Sequence, residues 1–367
     1  MTAPAAGLPG LYLALEADGD GAHPAAPRHP GRPADGALTP GALRETAAAV
    51  ENAGFTLVTF ADSPLPPEAA GRPVARIEAG VRAAYLSALT ERIGLAPTLH
   101  VTTTEPFHLA TQLAGLDHAS HGRAGWVVGA ASTAAELATV GRDFLSAEAL
   151  AAETADVIDT ARALWDSWED DAIVKDSATG RFLDADRVHH IDFEGATFTV
   201  KGPLITPRPP QGQVVVLAPD ALDVDARADL VLVARDTVPA IAARAATARE
   251  SGAPLVLAEV EVVLDAQAPA ADRLTELDAD ASWPPSGRLR HVGSAEALTE
   301  LLRALAEFVD GVRLHPAVLA VDLPVLTERV LPALAAEGLH RAPRPGATLR
   351  ESLGLPRPAN RFATARA

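Results

Sequence analysis

The chain has 367 residues, 48% of them hydrophobic and 22% charged, which is enough apolar material for one large domain or two ordinary ones. Its formal net charge of −17 repels phosphate backbones and anionic lipid, so the composition argues against a nucleic-acid or membrane-surface partner. The absence of cysteine excludes disulfides, a thiolate nucleophile and cysteine-ligated metals or clusters.

The first half of the chain alternates short apolar segments with segments of helical period. The apolar stretch near the N-terminus lacks the basic region and cleavage site of a signal peptide, and no segment reaches the roughly 18 apolar residues of a membrane span, so we expect a cytoplasmic protein. Thr39 and Gly54 are typical start and stop residues for the first helix. The pattern predicts strands at 11–17, 55–62, 92–101 and 123–130, and helices at 40–54, 75–91, within 105–126 and at 147–168.

A polar, proline-bearing excursion at about 169–212 interrupts this alternation, and its turn residues indicate a small hairpin. The alternation then resumes, with strands predicted at 213–219, 228–234, 253–264 and 311–316 and helices at 237–252, 294–310 and 322–338.

This order of elements indicates the fold class. About eight strand–helix pairs with nearly continuous apolar strands are typical of a parallel sheet that closes into a (β/α)₈ barrel. A doubly wound open sheet is the competing architecture, but it would need a Gly-rich turn after the first strand, and "EADGDGAHP" lacks G-x-G-x-x-G. We therefore predict an α/β fold with one TIM-like barrel domain over 1–367, including the 169–212 excursion and a C-terminal tail at 339–367.

Three histidines, His108, His118 and His121, lie close together in "EPFHLATQLAGLDHASHGRAGW" (105–126). On a helix, His108 lies about 80° away from the direction of the other two. No carboxylate stands at a spacing that completes a three-ligand set, and there is no H-E-x-x-H motif. We expect no metal site and packing or capping roles for these side chains. His108 is the one candidate contributor to a site, since it is nearest the loop after the third strand.

In a barrel, active-site residues follow the carboxyl ends of the strands. Asp62 ends the second strand, where a carboxylate is costly unless it meets a partner or ligand, although it could instead cap the turn at Ser63–Pro64. Thr102 follows the third strand. His23 and Arg28 lie in the loop after the first strand, which is either a substrate lid or a connector. No G-x-S-x-G, P-loop or S-x-x-K motif is present, so the catalytic residues stay unassigned.

Three long strings of the sequence closely resemble one known family. They are "TEPFHLATQLAGLDHASHGRAGW", "ALWDSWEDDAIVKDSATGRFLDADRVHHIDFEGATFTVKGPLITPRPPQGQ" and "VLPALAAEGLHRAPRPGATLRESLGLPRPANR". They resemble the bacterial luciferase-like flavin monooxygenases, in the branch that contains nitrilotriacetate, EDTA, pristinamycin-type and dibenzothiophene-sulfone monooxygenases. The resemblance implies a TIM-like barrel, a homodimer, reduced FMN from a separate flavin reductase, and the insertion of one oxygen atom from O₂ into a small organic substrate.

The resemblance also implies cofactor-binding positions. Asp62 matches the family's carboxylate at the end of the second strand, and Thr102 best matches the hydroxyl residue that ends the third. Ser132, in the loop after the fourth strand, and Arg142 are the further cofactor-binding candidates.

Other positions depart from the family pattern. The residues at usual flavin positions are replaced by Val127, Ala147 and Ala151, and the phosphate-binding turn reads "APDALDVDARAD", which places Asp220 where a phosphate would sit. Two like charges in contact cost on the order of several kcal/mol at an effective dielectric near 20. Either the phosphate shifts toward Arg142, Arg208 or Arg235, or the chain binds FMN weakly, binds another flavin or F420, or binds none.

The sequence therefore supports a flavin-dependent monooxygenase as the main hypothesis. The alternative is a luciferase-like barrel whose flavin site has degenerated and which acts as a non-catalytic binding or partner subunit. Lyase or hydrolase chemistry on the same fold is a third reading, which the lack of a visible nucleophile–base set disfavours.

Overall fold

The computed structural model describes residues 10–17, 19–28, 38–66, 68–69, 72–73, 75–340 and 342–363. Eight parallel strands form a closed ring in which each strand pairs with the next along the chain and the last pairs with the first. The strands are β1 (Tyr12–Glu16), β2 (Leu57–Phe60), β3 (Gly94–His100), β4 (Gly125–Gly129), β5 (Val215–Pro219), β6 (Leu230–Val233), β7 (Leu255–Leu264) and β8 (Gly311–Pro316). The predicted (β/α)₈ barrel is confirmed.

In the part of the chain that the structure describes, ten α-helices lie around this ring and the eleventh lies at its amino end. They are α1 (Pro40–Ala53), α2 (Ala79–Ser87), α3 (Pro106–Ala119), α4 (Ala134–Ala138), α5 (Ala147–Asp166), α6 (Val238–Glu250), α7 (Ala270–Asp280), α8 (Ala295–Leu305), α9 (Leu319–Val325), α10 (Leu331–Ala336) and α11 (Leu349–Ser352). A π-helical segment, Leu326–Val330, joins α9 to α10, so these three segments occupy the single helix predicted at 322–338. Gly54 ends α1 in the left-handed conformation, with φ of 89°, as its position predicts.

Two elements between β7 and α8 were not predicted. α7 is one of them, and the other is a short strand, Leu289–Gly293, which pairs in parallel with the second half of β7 as a ninth strand outside the ring. The reason is composition: α7 is mostly polar, and the short strand is only half-buried, so neither leaves an apolar run in the sequence.

The predicted excursion contains two hairpins. The first pairs Ile173–Asp176 with Arg181–Leu183, and the second pairs Phe193–Glu194 with Thr199–Val200. A third small hairpin, Glu68–Ala69 with Arg72–Pro73, follows β2.

Leu349 of α11 closes the amino end of the barrel. A side chain at Gly94 would come within 2.6 Å of Leu349, and one at Gly125 within 3.2 Å, so glycine at the starts of β3 and β4 makes room for this plug. Leu349 packs with an apolar layer inside the ring that includes Ala96 and Val127. A ligand site in this barrel therefore belongs at the carboxyl end, as is general for the fold.

Candidate active site

A pocket of about 330 Å³ opens at the carboxyl end of β3. The loop after β3, the turn before α5, α5 itself and the second hairpin of the excursion form its walls. This volume lies at the lower end of the range for small-molecule sites. The walls combine apolar residues with a larger number of polar and charged ones. The lining residues are Val101, Thr102, Thr103, Thr104, Glu105, Pro106, Val140, Arg142, Glu153, Thr197 and Phe198.

The guanidinium of Arg142 is held in the pocket wall by two partners. Its Nη1 donates to the main-chain carbonyl of Thr102 at 2.9 Å, and its Nη2 donates to Glu153 Oε2 at 2.7 Å. A further hydrogen bond from Nη1 to Glu153 Oε1 makes the ion pair bidentate. The hydrogen bonds to Glu153 raise the pKa of Arg142. The charge of Arg142 is therefore balanced by the buried carboxylate of Glu153, while the Arg142 side chain stays partly exposed at the pocket.

Thr102 and Asp62 lie at the ends of neighbouring strands. The hydroxyl of Thr102 accepts the Ala131 N–H at 2.9 Å and donates to the Ala131 carbonyl at 3.2 Å, so it fastens β3 to the loop after β4. His100 joins the two strand ends, because its Nε2 lies 3.1 Å from the Asp62 carbonyl oxygen. Thr102 lines the pocket, whereas Asp62 does not.

The Asp62 carboxylate makes local contacts. It accepts the Ser63 N–H at 2.8 Å and the Ala79 N–H, at the start of α2, at 2.6 Å. The sequence left open that Asp62 caps the turn at Ser63–Pro64, and the contact with Ser63 is of that kind. The contact with Ala79 adds a cap at the N-terminus of α2. A flavin contact from Asp62 stays a prediction.

The remaining predicted site residues lie away from the pocket. Ser132 is exposed and donates its main-chain N–H to Glu136 at 3.3 Å, in the capping box of α4. His23 is buried against α7, where its Nε2 lies 3.3 Å from Asp278. Burial lowers the pKa of His23 despite that carboxylate. Arg28 lies 3.9 Å from Asp280 on the surface. The proposed lid residues thus dock on α7, and residues 29–37 of the same loop lie outside the described structure.

A layer of buried charges fills the barrel beside β7 and β8. Glu259 Oε1 accepts Arg313 Nε–H at 2.7 Å and lies 3.2 Å from His315 Nε2, and its other oxygen accepts Arg288 Nε–H at 3.3 Å. Glu261 Oε2 accepts Arg290 Nε–H at 2.7 Å. This layer of charges was not predicted from the sequence.

Burial and the neighbouring charges shift the pKa values of Glu259 and His315 far from their ordinary values. Burial alone would raise the pKa of Glu259, but Arg313 and His315 hold it well below its usual range. Burial, reinforced by Arg288, lowers the pKa of His315 to about 3. His315 is therefore neutral at physiological pH, with its Nε2 proton directed at Glu259. The sequence does contain a signal for this layer, because charged and apolar residues alternate in "AEVEVV" and "GVRLHP". Alternate residues of a strand face the same side, so the charged side chains all face the barrel interior.

Asp220, the residue expected to oppose a phosphate, lies in an ion-pair cluster. Its carboxylate lies 2.8 Å from Arg235 Nη1 and 3.1 Å from Arg244 Nε, and Arg244 also pairs with Asp225 at 2.8 Å. Arg208 is paired with Asp166 and Asp170, each at 2.9 Å. The three arginines considered as alternative phosphate donors are thus all paired with carboxylates.

The three clustered histidines occupy ordinary surface and helix-end positions. His108 is exposed on α3, His118 Nε2 lies 3.2 Å from the Pro207 carbonyl, and His121 follows the helix with φ of 56°. Across the ranges that the structure describes, no group of three His, Asp or Glu side chains is placed to hold a metal ion. In the same ranges, no helix has the length and apolar character needed to cross a membrane.

Comparison with known proteins assigns this barrel to a family. A family model described as luciferase-like monooxygenase matches residues 22–307, and the chain belongs to the luciferase-like monooxygenase family. The chain is 28% identical to N-acetyl-S-(2-succino)cysteine monooxygenase of Bacillus subtilis (strain 168), over 96% of this chain and 98% of that protein. It is 34% identical to one of the subunits of pristinamycin IIA synthase of Streptomyces pristinaespiralis, over 89% of this chain and 93% of that protein.

A solved structure shows the same barrel. EDTA monooxygenase from Chelativorans sp. BNC1 matches with a TM-score of 0.80 at 20% identity, over 95% of this chain and 99% of that one. The resemblance to the branch that contains EDTA and pristinamycin-type monooxygenases is confirmed.

Proposed function

We propose that this chain is a flavin-dependent monooxygenase. It takes reduced flavin from a separate reductase and places one oxygen atom of O₂ on a small organic substrate. Membership of the luciferase-like monooxygenase family supports the reaction class. The observation that carries the site is the pocket at the end of β3, which Thr102 and Arg142 both line.

The pocket suits the ring system of a flavin. Val101, Val140 and Phe198 offer apolar surface for the flat faces of an isoalloxazine, and the hydroxyls of Thr103 and Thr104 offer hydrogen bonds for its polar edge. The pocket does not suit a phosphate, because Arg142 is already paired with Glu153. The residues therefore fit the ring and not the phosphate group of FMN.

The bound reduced flavin would supply the activation of O₂, and the protein would supply orientation and exclusion of water. Thr102 contributes indirectly, since its hydroxyl holds the loops after β3 and β4 together. Phe198, from the second hairpin of the excursion, forms the outer wall and would shield the ring from solvent.

Isotope incorporation tests the reaction class. The purified chain is supplied with a flavin reductase, NADH, flavin and ¹⁸O₂, together with a panel of thioethers, sulfones and aminopolycarboxylates. The proposal predicts a product that carries one ¹⁸O atom and forms only when this chain is present. The absence of any such product, while reduced flavin binds to the chain, would contradict a monooxygenase role for the chain alone.

A second candidate is a partner subunit that needs another luciferase-like chain for activity. The favouring observation is the 34% identity, over 89% of this chain, to a protein named as one subunit of a synthase. Replacement of usual flavin positions by Val127, Ala147 and Ala151 supports it as well. Under this hypothesis, ¹⁸O incorporation appears only after a second luciferase-like chain is added, and this chain alone retains no flavin.

A further inference from the structure

Two walls of the pocket at the end of β3 are firmly held. The loop after β3 is fastened to the loop after β4, because the Thr102 hydroxyl accepts the Ala131 N–H at 2.9 Å and donates to the Ala131 carbonyl at 3.2 Å. The turn before α5 is held by Arg142, which donates to the Thr102 carbonyl at 2.9 Å and to Glu153 Oε2 at 2.7 Å. Several polar contacts therefore fix each of these two walls.

The second hairpin of the excursion forms another wall, and its tip is held by much less. The tip, residues 195–198, contributes Thr197 and Phe198 to the pocket lining. Among the described residues, one hydrogen bond joins this tip to the rest of the protein, from the Ala196 N–H to Asp156 Oδ2 on α5 at 2.8 Å. A single polar contact therefore holds this wall against α5.

The base of the same hairpin is anchored. Val200 is buried in the hydrophobic core, and the Ile191 N–H donates to the Lys201 carbonyl at 2.8 Å. The Phe198 ring stacks on Phe193, with 5.9 Å between the ring centroids, so the lining ring is attached to its own hairpin. A tip with few contacts on a fixed base is the arrangement expected of a segment that opens at low cost.

The proposed reaction requires the pocket in two states. Reduced flavin has to enter and oxidised flavin has to leave, yet water has to be excluded while the bound flavin reacts. A wall that opens and closes meets both requirements. We therefore propose that the second hairpin is the gate of the flavin pocket and that Asp156 is the latch that holds it closed. This inference rests on the proposed function and adds how the site is entered.

Gly195 allows the tip to approach its latch. A Cβ atom at Gly195 would lie 2.9 Å from Asp156 Oδ2, and the backbone of Gly195 is not in the left-handed region. An alanine there would force the flexible Asp156 side chain away, and the hydrogen bond to Ala196 would be lost. Gly195→Ala therefore loosens the latch by a route that leaves the carboxylate in the chain.

A reversible lock tests the gate, because the chain contains no cysteine of its own. A Cβ atom at Gly195 would lie 3.3 Å from Asp156 Cγ, so the double variant Gly195→Cys/Asp156→Cys places two thiols within reach of a disulfide. FMN and riboflavin are each mixed with the full chain, and stopped-flow quenching of flavin fluorescence gives the association and dissociation rates. With the disulfide formed by oxidised glutathione, we expect both rates to fall by at least about tenfold, and dithiothreitol to restore them.

Two variants open the latch instead. In Asp156→Ala and in Gly195→Ala, we expect both rates to rise by about tenfold, the effect of losing one hydrogen bond to a carboxylate. Because both rates rise together, the affinity should change by less than about threefold. Asp159→Ala is the matched control on α5, since the Asp159 carboxylate pairs with Arg227 at 2.9 Å and not with the hairpin, and it should change neither rate.

The outcomes separate the gate from the proposed function. Rates that the disulfide leaves unchanged overturn the gate and leave the proposed function standing. A rise in the dissociation rate alone in Asp156→Ala also overturns the gate, because the latch would then stabilise the bound complex without controlling entry. Binding of neither flavin to wild type, oxidised or reduced with dithionite, overturns both. Thiol titration shows whether the disulfide has formed and thermal unfolding whether a variant is folded; if the lock fails on either count, the latch variants decide.

Discussion

Asp117 is a carboxylate whose protonation depends on the fold. It lies on α3 with no exposed surface, where it accepts the Ala124 N–H at 3.1 Å and Gln211 Nε2–H at 2.6 Å. Burial raises the pKa of Asp117 to about 7, in spite of those hydrogen bonds. A group of this kind couples the stability of the barrel to pH.

The first prediction concerns the stability of Asp117→Asn relative to wild type. The folded protein keeps the proton of Asp117 up to about pH 7, whereas the unfolded chain releases it near pH 4. Between these values the folded state binds more protons, so the stability of wild type should fall relative to the variant as pH rises, by up to about 1.4 kcal/mol per unit.

Urea unfolding at pH 5 and pH 7 measures this difference. The exposed variant Asp186→Asn serves as the control and should show no such trend. If the free energies of unfolding of wild type and Asp117→Asn differ by the same amount at both pH values, the raised pKa of Asp117 is contradicted.

The close pairing of β1 with β8 closes the ring and depends on a glycine. Gly311 pairs with Tyr12 in the register of the two strands. A Cβ atom at Gly311 would lie 2.2 Å from the Tyr12 carbonyl oxygen, which belongs to the main chain and cannot rotate away. The strands would have to separate to admit any side chain.

We therefore expect Gly311→Ala to destabilise the barrel by about 3 kcal/mol, the upper end for overpacking. Gly115→Ala is the matched control, because a Cβ there meets no atom within 4 Å and alanine is favoured in a helix by about 0.5–1 kcal/mol. Midpoints of urea unfolding compare the two. Equal stability of the two variants would show that the barrel does not need the close approach of β1 and β8 at Gly311.

The sequence predicted the elements that bury apolar surface on both faces. β3, β4, β5 and β6 are apolar runs bounded by polar segments, so their positions could be read directly. Two of the predicted cofactor-binding residues, Thr102 and Arg142, line the candidate pocket. The end of its strand identifies Thr102. The pairing of Arg142 with Glu153 and of Asp220 with Arg244 could not be predicted, since each joins elements whose approach only the folded barrel defines.

At the scale of the whole molecule, the charged layer beside β7 and β8 replaces part of an apolar barrel core. Glu259 is 3% exposed and balances Arg313 on one side and Arg288 on the other. Removal of one partner from a buried ion-pair network leaves an uncompensated charge, which is strongly destabilising.

Glu259→Gln should therefore lower the free energy of unfolding by about 3 kcal/mol. Glu300→Gln, on the exposed face of α8, is the control and should change it by less than about 0.5 kcal/mol. Thermal and urea unfolding of the two variants provide the measurement. A Glu259→Gln variant as stable as wild type would mean that the layer contributes nothing to the fold.

The central claim is that the pocket at the end of β3 receives the ring of a flavin, and blocking that pocket tests it most directly. Thr103→Trp fills the pocket, whereas Thr275→Trp adds the same side chain to the exposed face of α7. Binding of FMN and of riboflavin, measured by quenching of flavin fluorescence, should be lost in Thr103→Trp, and whichever of the two wild type binds should still bind to Thr275→Trp, with both variants folded. Flavin binding of equal affinity in wild type and Thr103→Trp would contradict the claim.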